Sequence, residues 1–137
     1  FGFDPKVAFV SHSTFGQPLT SRTKHIKNAV EILKNKNVNF EFDGDMQPDV
    51  ALNKEYQNLY PFSKIVGNAN ILIMPGQHSA AISYKMMKEL GDTKVIGPLL
   101  IGLGLPIEIA PLRSSTSEIL NLASIAAYSA DVIDYKK

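Results

Sequence analysis

The sequence contains no cysteine, so neither a disulfide nor a thiol nucleophile can contribute to its stability or chemistry. It also lacks an excess of charge of one sign, since 14 Lys and Arg against 13 Asp and Glu leave a formal net charge of +1. Because the cations are spread along the chain, the composition argues against a nucleic-acid-binding surface or a patch for anionic membranes. The absence of cysteine is compatible with a cytoplasmic location.

A long uninterrupted apolar run is missing as well. The apolar stretch at residues 96–112 carries Glu108, three prolines and three glycines, whereas a membrane helix needs about 20 apolar residues without such breakers. The sequence shows no signal-peptide pattern and begins Phe1-Gly2-Phe3 without a methionine, so we expect it to be part of a longer protein. Its 137 residues, 45% of them hydrophobic, suffice for one domain with a buried core.

The hydrophobic pattern predicts alternating strands and helices. Short apolar runs rich in β-branched residues predict strands, and apolar residues at helical spacing between positions 26 and 33 predict an amphipathic helix. This alternation predicts an α/β fold, a layered and mostly parallel sheet with flanking helices. The predicted strands are residues 6–11, 37–43, 71–74, 95–96, 99–103 and 107–110. The predicted helices cover residues 26–33, 49–52, 79–90 and 115–134, with Gly91 as the C-cap of the third.

Two polar segments follow predicted strands. Residues 11–17 (SHSTFGQ) lie between a strand and a helix, where hydroxyls and backbone N–H groups can hold an anion. The same composition is typical of a turn that caps the next helix. Residues 43–49 (DGDMQPD) contain three carboxylates, but their spacing lacks the calcium-loop pattern and no second cluster supplies further ligands. This favours a turn into a helix, with Asp49 as its cap, over a metal site.

The histidines offer a weaker case for catalysis. His78 comes shortly after Pro75-Gly76 at the predicted start of a helix, where it could act as a base. Nothing nearby in the sequence forms a nucleophile with it, so a polar cleft residue or a cap is the favoured interpretation. His12 and His25 show even less of a catalytic pattern.

Several separated motifs lie between about residues 6 and 135. They are residues 43–49 (DGDMQPD), 60–63 (YPFS), 70–75 (NILIMP), 78–80 (HSA), 95–103 (VIGPLLIGL), 114–118 (SSTSE), 119–123 (ILNLA) and 125–128 (IAAY). Together they resemble the phosphate acetyl/butyryl-transferase family. The motifs YPFS, NILIMP, HSA and IAAY resemble in particular the branch in which this domain accompanies a malic-enzyme catalytic domain.

The resemblance implies a fold and a ligand cleft. Residues 1–137 would be a fragment of the family's domain, the C-terminal half of a phosphotransacetylase-like, isocitrate-dehydrogenase-like unit. About residues 6–100 would form one α/β lobe, and about residues 101–137 would return to the other. The family's Ser-x-Ser-Thr-x-Gly loop faces the phosphate and acyl site, which implies a ligand-facing role for residues 11–16. The candidate ligand-binding residues are Ser11, Ser13, Thr14, Gly16, Asp43, Gln47, Gln77, His78, Ser79 and Arg113, and no catalytic or metal residue is assigned.

Two positions at which the family carries arginine hold other residues here. The arginine that binds the phosphoryl group falls at Leu112, and a second arginine falls at Glu89. A dianionic phosphate needs fixed positive charge, which arginine supplies bidentately. Arg113 is one residue late, and in an extended segment it would point to the face opposite Leu112. The substitutions therefore predict that transacetylase chemistry is absent.

A third position at which this sequence differs from the family lies at the start of the last predicted helix, where it has a structural role. The family aspartate that assists chemistry becomes Glu118, and Ser115-x-x-Glu118 is a capping-box pattern. The helix that follows is apolar on most faces, which predicts burial against a partner or self-association as a twofold dimer.

The resemblance implies a regulatory and assembly domain of a malic enzyme. The whole protein would decarboxylate malate oxidatively to pyruvate with NADP and a divalent metal, both held by the other domain. This domain would bind no cofactor and would take acetyl-CoA as an effector. The expected partners are acetyl-CoA, a second copy of the chain, and the malic-enzyme catalytic domain on the same or a companion chain. The alternatives are an active phosphate acyltransferase, which moves an acyl group between CoA and phosphate, and an assembly module without a ligand.

Overall fold

Strands and helices alternate along residues 2–134, the part that this structure, a computed structural model, describes. The three strands form one parallel sheet in the order β2-β1-β3. The α/β class that the sequence predicted is therefore confirmed. The elements in chain order are β1 (Lys6–Val10), α1 (Ser21–Lys34), β2 (Glu41–Met46), α2 (Pro48–Leu52), α3 (Lys54–Gln57), β3 (Ile71–Ile73), α4 (Gln77–Leu90) and α5 (Thr116–Asp134).

The core lies around the central strand β1. Helix α1 packs against β2, and α2 packs against β1. Parallel strands require a crossover connection, and α1 provides it between β1 and β2. The buried apolar cluster combines three alanines with three larger side chains, of which Met46 is fully buried. It consists of Ala8, Met46, Val50, Ala51, Ile65 and Ala69, with Phe15, Tyr60 and Leu72 packed against it.

Strand β2 begins and ends later than the sequence predicted. The prediction placed it at residues 37–43, whereas the structure places it at Glu41–Met46. Its partner β1 begins at Lys6, which pairs with Glu41, so residues 37–40 have no strand to pair with. The pairing then continues through Gly44 to Met46. Only glycine fits at position 44, because its φ is 151° and an added Cβ would lie 2.7 Å from Cβ of Phe9.

The strands predicted at residues 95–96, 99–103 and 107–110 are wrong. Within the described part of the chain, these residues are irregular. A strand needs a neighbour to accept its backbone hydrogen bonds, and Pro98 and Pro106 cannot donate one. Apolar side chains in this segment face solvent, among them Ile101, which is 89% exposed.

The other predicted elements are present with shifted bounds; α1 begins at Ser21 and not near residue 26, and α3 was not predicted. Strand β3 was expected to be buried, but it lies at the edge of the described sheet. Ile71 and Ile73 are therefore about two-fifths exposed. Helix α4 ends at Leu90, and Gly91 follows it as predicted. Helix α5 begins at Thr116, one residue after the predicted start. The side chain of Ile133 and the predicted end of the family resemblance at Tyr135 lie outside the described residues.

The chain divides into two compact units, Phe1–Ser83 and Tyr84–Lys137. The first contains the sheet, and the second contains the end of α4, the irregular segment and α5. The lobe boundary expected near residue 100 concerns the longer protein and stays a prediction. Among the described helices, none combines the length and the apolar character that crossing a membrane requires.

Candidate functional site

Three loops with candidate residues follow the carboxyl ends of the three strands. Residues 11–17 follow β1, Gln47 follows β2, and the Gln77–Ser79 turn follows β3 by three residues. Because the strands are parallel, these loops begin at the same edge of the sheet. Ligands of open α/β sheets bind at this edge, so the topology agrees with the predicted location.

The buried centre of this edge is a hydrogen-bonded cluster of two serines and an aspartate. The Ser13 hydroxyl donates to the Asp45 carboxylate, whose other oxygen accepts from the backbone N–H of Gly16 at 2.9 Å. The Ser11 and Ser13 hydroxyl oxygens are 3.1 Å apart. Ser13 and Asp45 are at most 1% exposed. The cluster therefore fixes the loop from inside, and Ser11 and Ser13 do not face an open cleft in this structure.

Thr14 and Gln47 do face a cavity, of about 350 Å³. The backbone N–H of Gln47 donates to the Thr14 hydroxyl at 3.2 Å, and its side-chain amide donates to the carbonyl of His12 at 3.1 Å. These bonds join the loop after β1 to the start of α2. The cavity is lined by Thr14, Gln17, Gln47, Asp49, Val50, Tyr56, Leu59 and Tyr60.

The two outer aspartates of the DGDMQPD motif have structural roles. Asp43 is buried in β2, and its carboxylate accepts from the backbone N–H groups of Gly44 at 2.9 Å and Lys64 at 2.8 Å. It does not line any of the cavities described here. Asp49 is not the N-cap of α2, which is Gln47; Asp49 lies in the first turn and accepts from the N–H of Val50. Residues 43–46 of the expected turn belong to β2, because the pairing with β1 continues to Met46, whereas Gln47 leads into α2 as expected.

Gln77, His78 and Ser79 form the first turn of α4. Gln77 and His78 are exposed, and the Ser79 hydroxyl donates to the carbonyl of Gly76 at 2.8 Å. In the described part of the chain, these residues do not belong to the lining of the cavity beside Thr14 and Gln47, nor to that of two further cavities formed by residues 84–122 and 100–132. Their contact with a ligand stays a prediction, based on the sheet edge that they follow.

A cavity of about 530 Å³ lies within the unit 84–137, and we call it the α4–α5 cavity. Its volume is in the range of about 300–1,000 Å³ typical of small-molecule sites. Three cations and two carboxylates line it. The lining residues are Tyr84, Lys85, Lys88, Glu89, Val95, Ile96, Gly97, Pro111, Arg113, Ser114, Glu118, Asn121 and Leu122.

The predicted capping box at the start of α5 is confirmed. The Glu118 carboxylate accepts from the Ser115 N–H at 2.7 Å, and the Ser115 hydroxyl oxygen accepts from the Glu118 N–H at 3.3 Å. The carboxylate also forms an ion pair with Lys88, at 2.7 Å between Nζ and Oε1. This pair joins α4 to α5 beside the cavity.

The contacts of Glu118 lower its pKa to about 2, through the hydrogen bond from Lys88 first and then those from Ser115. The same pair raises the pKa of Lys88. Because the carboxyl's pKa falls from 4.5, the cap and the pair contribute stability that is present above about pH 4.5 and lost as the pH approaches 2. Both groups are therefore charged at neutral pH.

Arg113 lines the α4–α5 cavity and Leu112 does not, which agrees with the expectation that the two side chains point in different directions. Leu112 and Arg113 are the central residues of a tight turn, closed by the Ser114 N–H donating to the Pro111 carbonyl at 3.0 Å. The segment is therefore a turn and not the extended stretch assumed from the sequence, so the different directions of the two side chains do not come from strand alternation. Leu112 is fully exposed, whereas Glu89 lines the cavity as the negative charge that the sequence predicted.

The sequence did not identify Asp45, Lys85, Lys88 or Ser114 as site residues. A prediction that extended β2 past Gly44 would have placed Asp45 in the strand next to β1, close to the loop that follows β1. No sequence signal connects Lys88 with Glu118, which is 30 residues away. Among the described residues, no group of three His, Asp or Glu side chains is close enough to hold a metal ion.

Comparison with known proteins identifies relatives over nearly the whole chain. A family model described as "Phosphate acetyl/butaryl transferase" matches residues 1–127. An NADP-dependent malic enzyme from Rhizobium meliloti is 49% identical over 94% of this chain, which spans 17% of that relative. A phosphate acetyltransferase from Clostridium acetobutylicum is 35% identical over 93% of this chain, which spans 38% of that relative.

A solved structure shares the fold. The EutD phosphotransacetylase from Staphylococcus aureus superposes with a TM-score of 0.86 and 30% sequence identity. The match covers 94% of this chain and 41% of that structure. The chain thus corresponds to less than half the length of each of these relatives.

Proposed function

The chain belongs to the phosphate acetyl/butaryl transferase family, and from that premise we propose that it is the regulatory and assembly domain of an NADP-dependent malic enzyme. Acetyl-CoA is its effector, and the domain itself carries out no acyl transfer. The similarity to the Rhizobium meliloti malic enzyme supports this context. Malate, NADP and the divalent metal belong to the other part of the protein.

The α4–α5 cavity carries this proposal. Lys85, Lys88 and Arg113 line it, so it can attract the phosphate groups of a CoA-type ligand. Neither position at which the family has an arginine supplies a cation, because Leu112 is uncharged and Glu89 adds negative charge to the cavity. The arrangement therefore favours binding of an anionic ligand over phosphoryl chemistry.

We expect acetyl-CoA to change malate-dependent NADPH formation by the complete protein. An effector must bind two states unequally, and such coupling is typically about 1–3 kcal/mol, or 5–150-fold in affinity. The measurement compares the complete protein with one truncated before Lys6, each with and without acetyl-CoA. The response should be lost on truncation.

A matched pair of variants separates this cavity from the rest of the domain. Arg113→Gln removes a cavity cation and should weaken the response, whereas Arg22→Gln removes the chain's other arginine, exposed on α1, and should leave it unchanged. If acetyl-CoA acts equally on the complete and the truncated protein, the domain is not the sensor, and a ligand-free assembly module replaces this proposal.

Self-association is the second part of the proposal. Helix α5 leaves large apolar side chains exposed, with Ile119 at 51% and Leu120 at 66%, whereas Leu122 is buried. Burying one such side chain fully is worth about 1.5–3 kcal/mol. We expect the 137-residue chain to sediment as a dimer, and we expect Leu120→Lys to weaken it.

The control for the dimer is Asn28→Lys, which adds the same charge to an exposed polar position of α1. Its sedimentation should match the unmodified chain. A monomer at high protein concentration, or equal association of Leu120→Lys and Asn28→Lys, would show that α5 does not form the contact.

A further inference from the structure

The three cations that line the α4–α5 cavity differ in whether a carboxylate lies within ion-pair distance. Lys88 is held by Glu118, with 2.7 Å between the charged atoms. Within the described residues, neither Lys85 nor Arg113 has a carboxylate oxygen within 4.0 Å. Among residues 2–134, two cations of the cavity therefore have no carboxylate partner, and the third is paired with Glu118.

Ser114 supplies a second observation in the same cavity. Its hydroxyl oxygen is buried and has no hydrogen-bond partner, the one side-chain atom of this kind in the described part of the chain. A buried polar group without a partner is costly, because it has lost its hydrogen bonds to water. The tight turn from Pro111 to Ser114 holds this hydroxyl next to Arg113. A ligand oxygen in the cavity would give the hydroxyl the partner that it lacks.

From these observations we infer that the Lys88–Glu118 ion pair is displaceable, and that a phosphate group entering the α4–α5 cavity takes Lys88 from Glu118. The inference rests on the proposed function and specifies how its ligand is bound. Lys88, Arg113 and the Ser114 hydroxyl hold the phosphate, with Lys85 adding long-range attraction. Glu118 acts as an internal carboxylate that competes with the ligand for one ammonium group.

Glu118 can release Lys88 without loss of the helix start. Its other carboxylate oxygen, Oε2, accepts from the Ser115 N–H and hydroxyl, while Oε1 accepts from Lys88. The capping box therefore survives when Oε1 turns to water. Lys88 and Glu118 side chains are 45% and 31% exposed, so water can reach both as they separate. Exposed pairs of this kind are weak enough for a ligand to replace.

The test is calorimetric titration of the complete protein with three probes. These are inorganic phosphate, acetyl-CoA, and an acetyl thioester that lacks phosphate. We expect the first two to bind and the third not to bind. Glu118→Gln, which can still form the capping box, should strengthen phosphate binding about 2- to 5-fold. Lys88→Gln should weaken it about 10-fold.

The matched control is Glu31→Gln. It breaks the Lys34–Glu31 pair on α1, which is similarly short at 2.6 Å but lies outside the cavity. Phosphate affinity should be unchanged in this variant. The inference is overturned if Glu118→Gln and Glu31→Gln bind phosphate equally, or if Lys88→Gln binds it as tightly as the unmodified protein.

The two proposals fail in different ways. If phosphate binding follows the expected order but acetyl-CoA leaves malate turnover unchanged, the ion-pair inference stands and the effector proposal falls. If acetyl-CoA regulates turnover while Lys88→Gln and Glu118→Gln bind both phosphate ligands normally, the effector proposal stands and the displaceable pair is wrong.

Discussion

Incubated with acetyl-CoA and inorganic phosphate, the complete protein that carries this chain should form no acetyl phosphate above a heat-killed control. The reaction needs fixed donors on a dianionic phosphate, and each such donor typically contributes about 10²–10³ in turnover. At the two family arginine positions, Leu112 is fully exposed and Glu89 is negative. Turnover should therefore lie about 10⁴-fold or more below that of an active enzyme.

The phosphate acetyltransferase of Clostridium acetobutylicum, 35% identical, is the positive control. Arg113 is the residue that could overturn the expectation, because it lines the cavity and carries a fixed charge. Turnover above the heat-killed level that disappears in Arg113→Gln would make the chain part of an active phosphate acyltransferase, the alternative that the sequence left open.

A gain-of-binding experiment completes this prediction. Glu89→Arg replaces a cavity carboxylate by a guanidinium, so phosphate affinity should rise. Leu112→Arg should contribute less, because position 112 is fully exposed in its turn. Equal effects of the two single variants would contradict this account of the cavity.

Asp45→Ala should destabilise the first unit by about 2–4 kcal/mol, because it leaves buried donors without an acceptor. The Asp45 carboxylate accepts from the Ser13 hydroxyl and from the Gly16 N–H, and Asp45 is 1% exposed. The measurements are the urea midpoint of unfolding and the hydrogen exchange of the Gly16 amide. Protection of that amide should fall with the midpoint.

Asp49→Ala is the matched control for Asp45→Ala. Asp49 belongs to the same motif, is exposed, and accepts only from the neighbouring Val50 N–H. Its replacement should change stability by about 0.5 kcal/mol or less. Similar midpoints for the two variants would show that the buried cluster does not hold the loop in place.

The sequence predicted that residues 11–16 face a ligand, but in the structure these residues have two different roles. Ser11 and Ser13 belong to the buried cluster, whereas Thr14 lines a cavity with Gln47. A serine or threonine hydroxyl can either join a buried hydrogen-bonded cluster or face a ligand, so the residue type alone does not show which of the two it does. The pairing of β2 with β1 up to Met46 brings Asp45 within hydrogen-bonding distance of Ser13, and this contact assigns Ser13 to the buried cluster.

The sequence by itself determined the α/β class, most of the helices, the capping box at Ser115 and the family. These features follow from local periodicity, from short-range hydrogen bonds and from motifs. The tertiary structure alone decided the extent of β2, the loss of the strands predicted after residue 94, and the α4–α5 cavity. Each of these depends on partners distant in the chain. A strand exists only where a neighbour accepts its hydrogen bonds, and Lys88 meets Glu118 only because the chain folds α4 and α5 together.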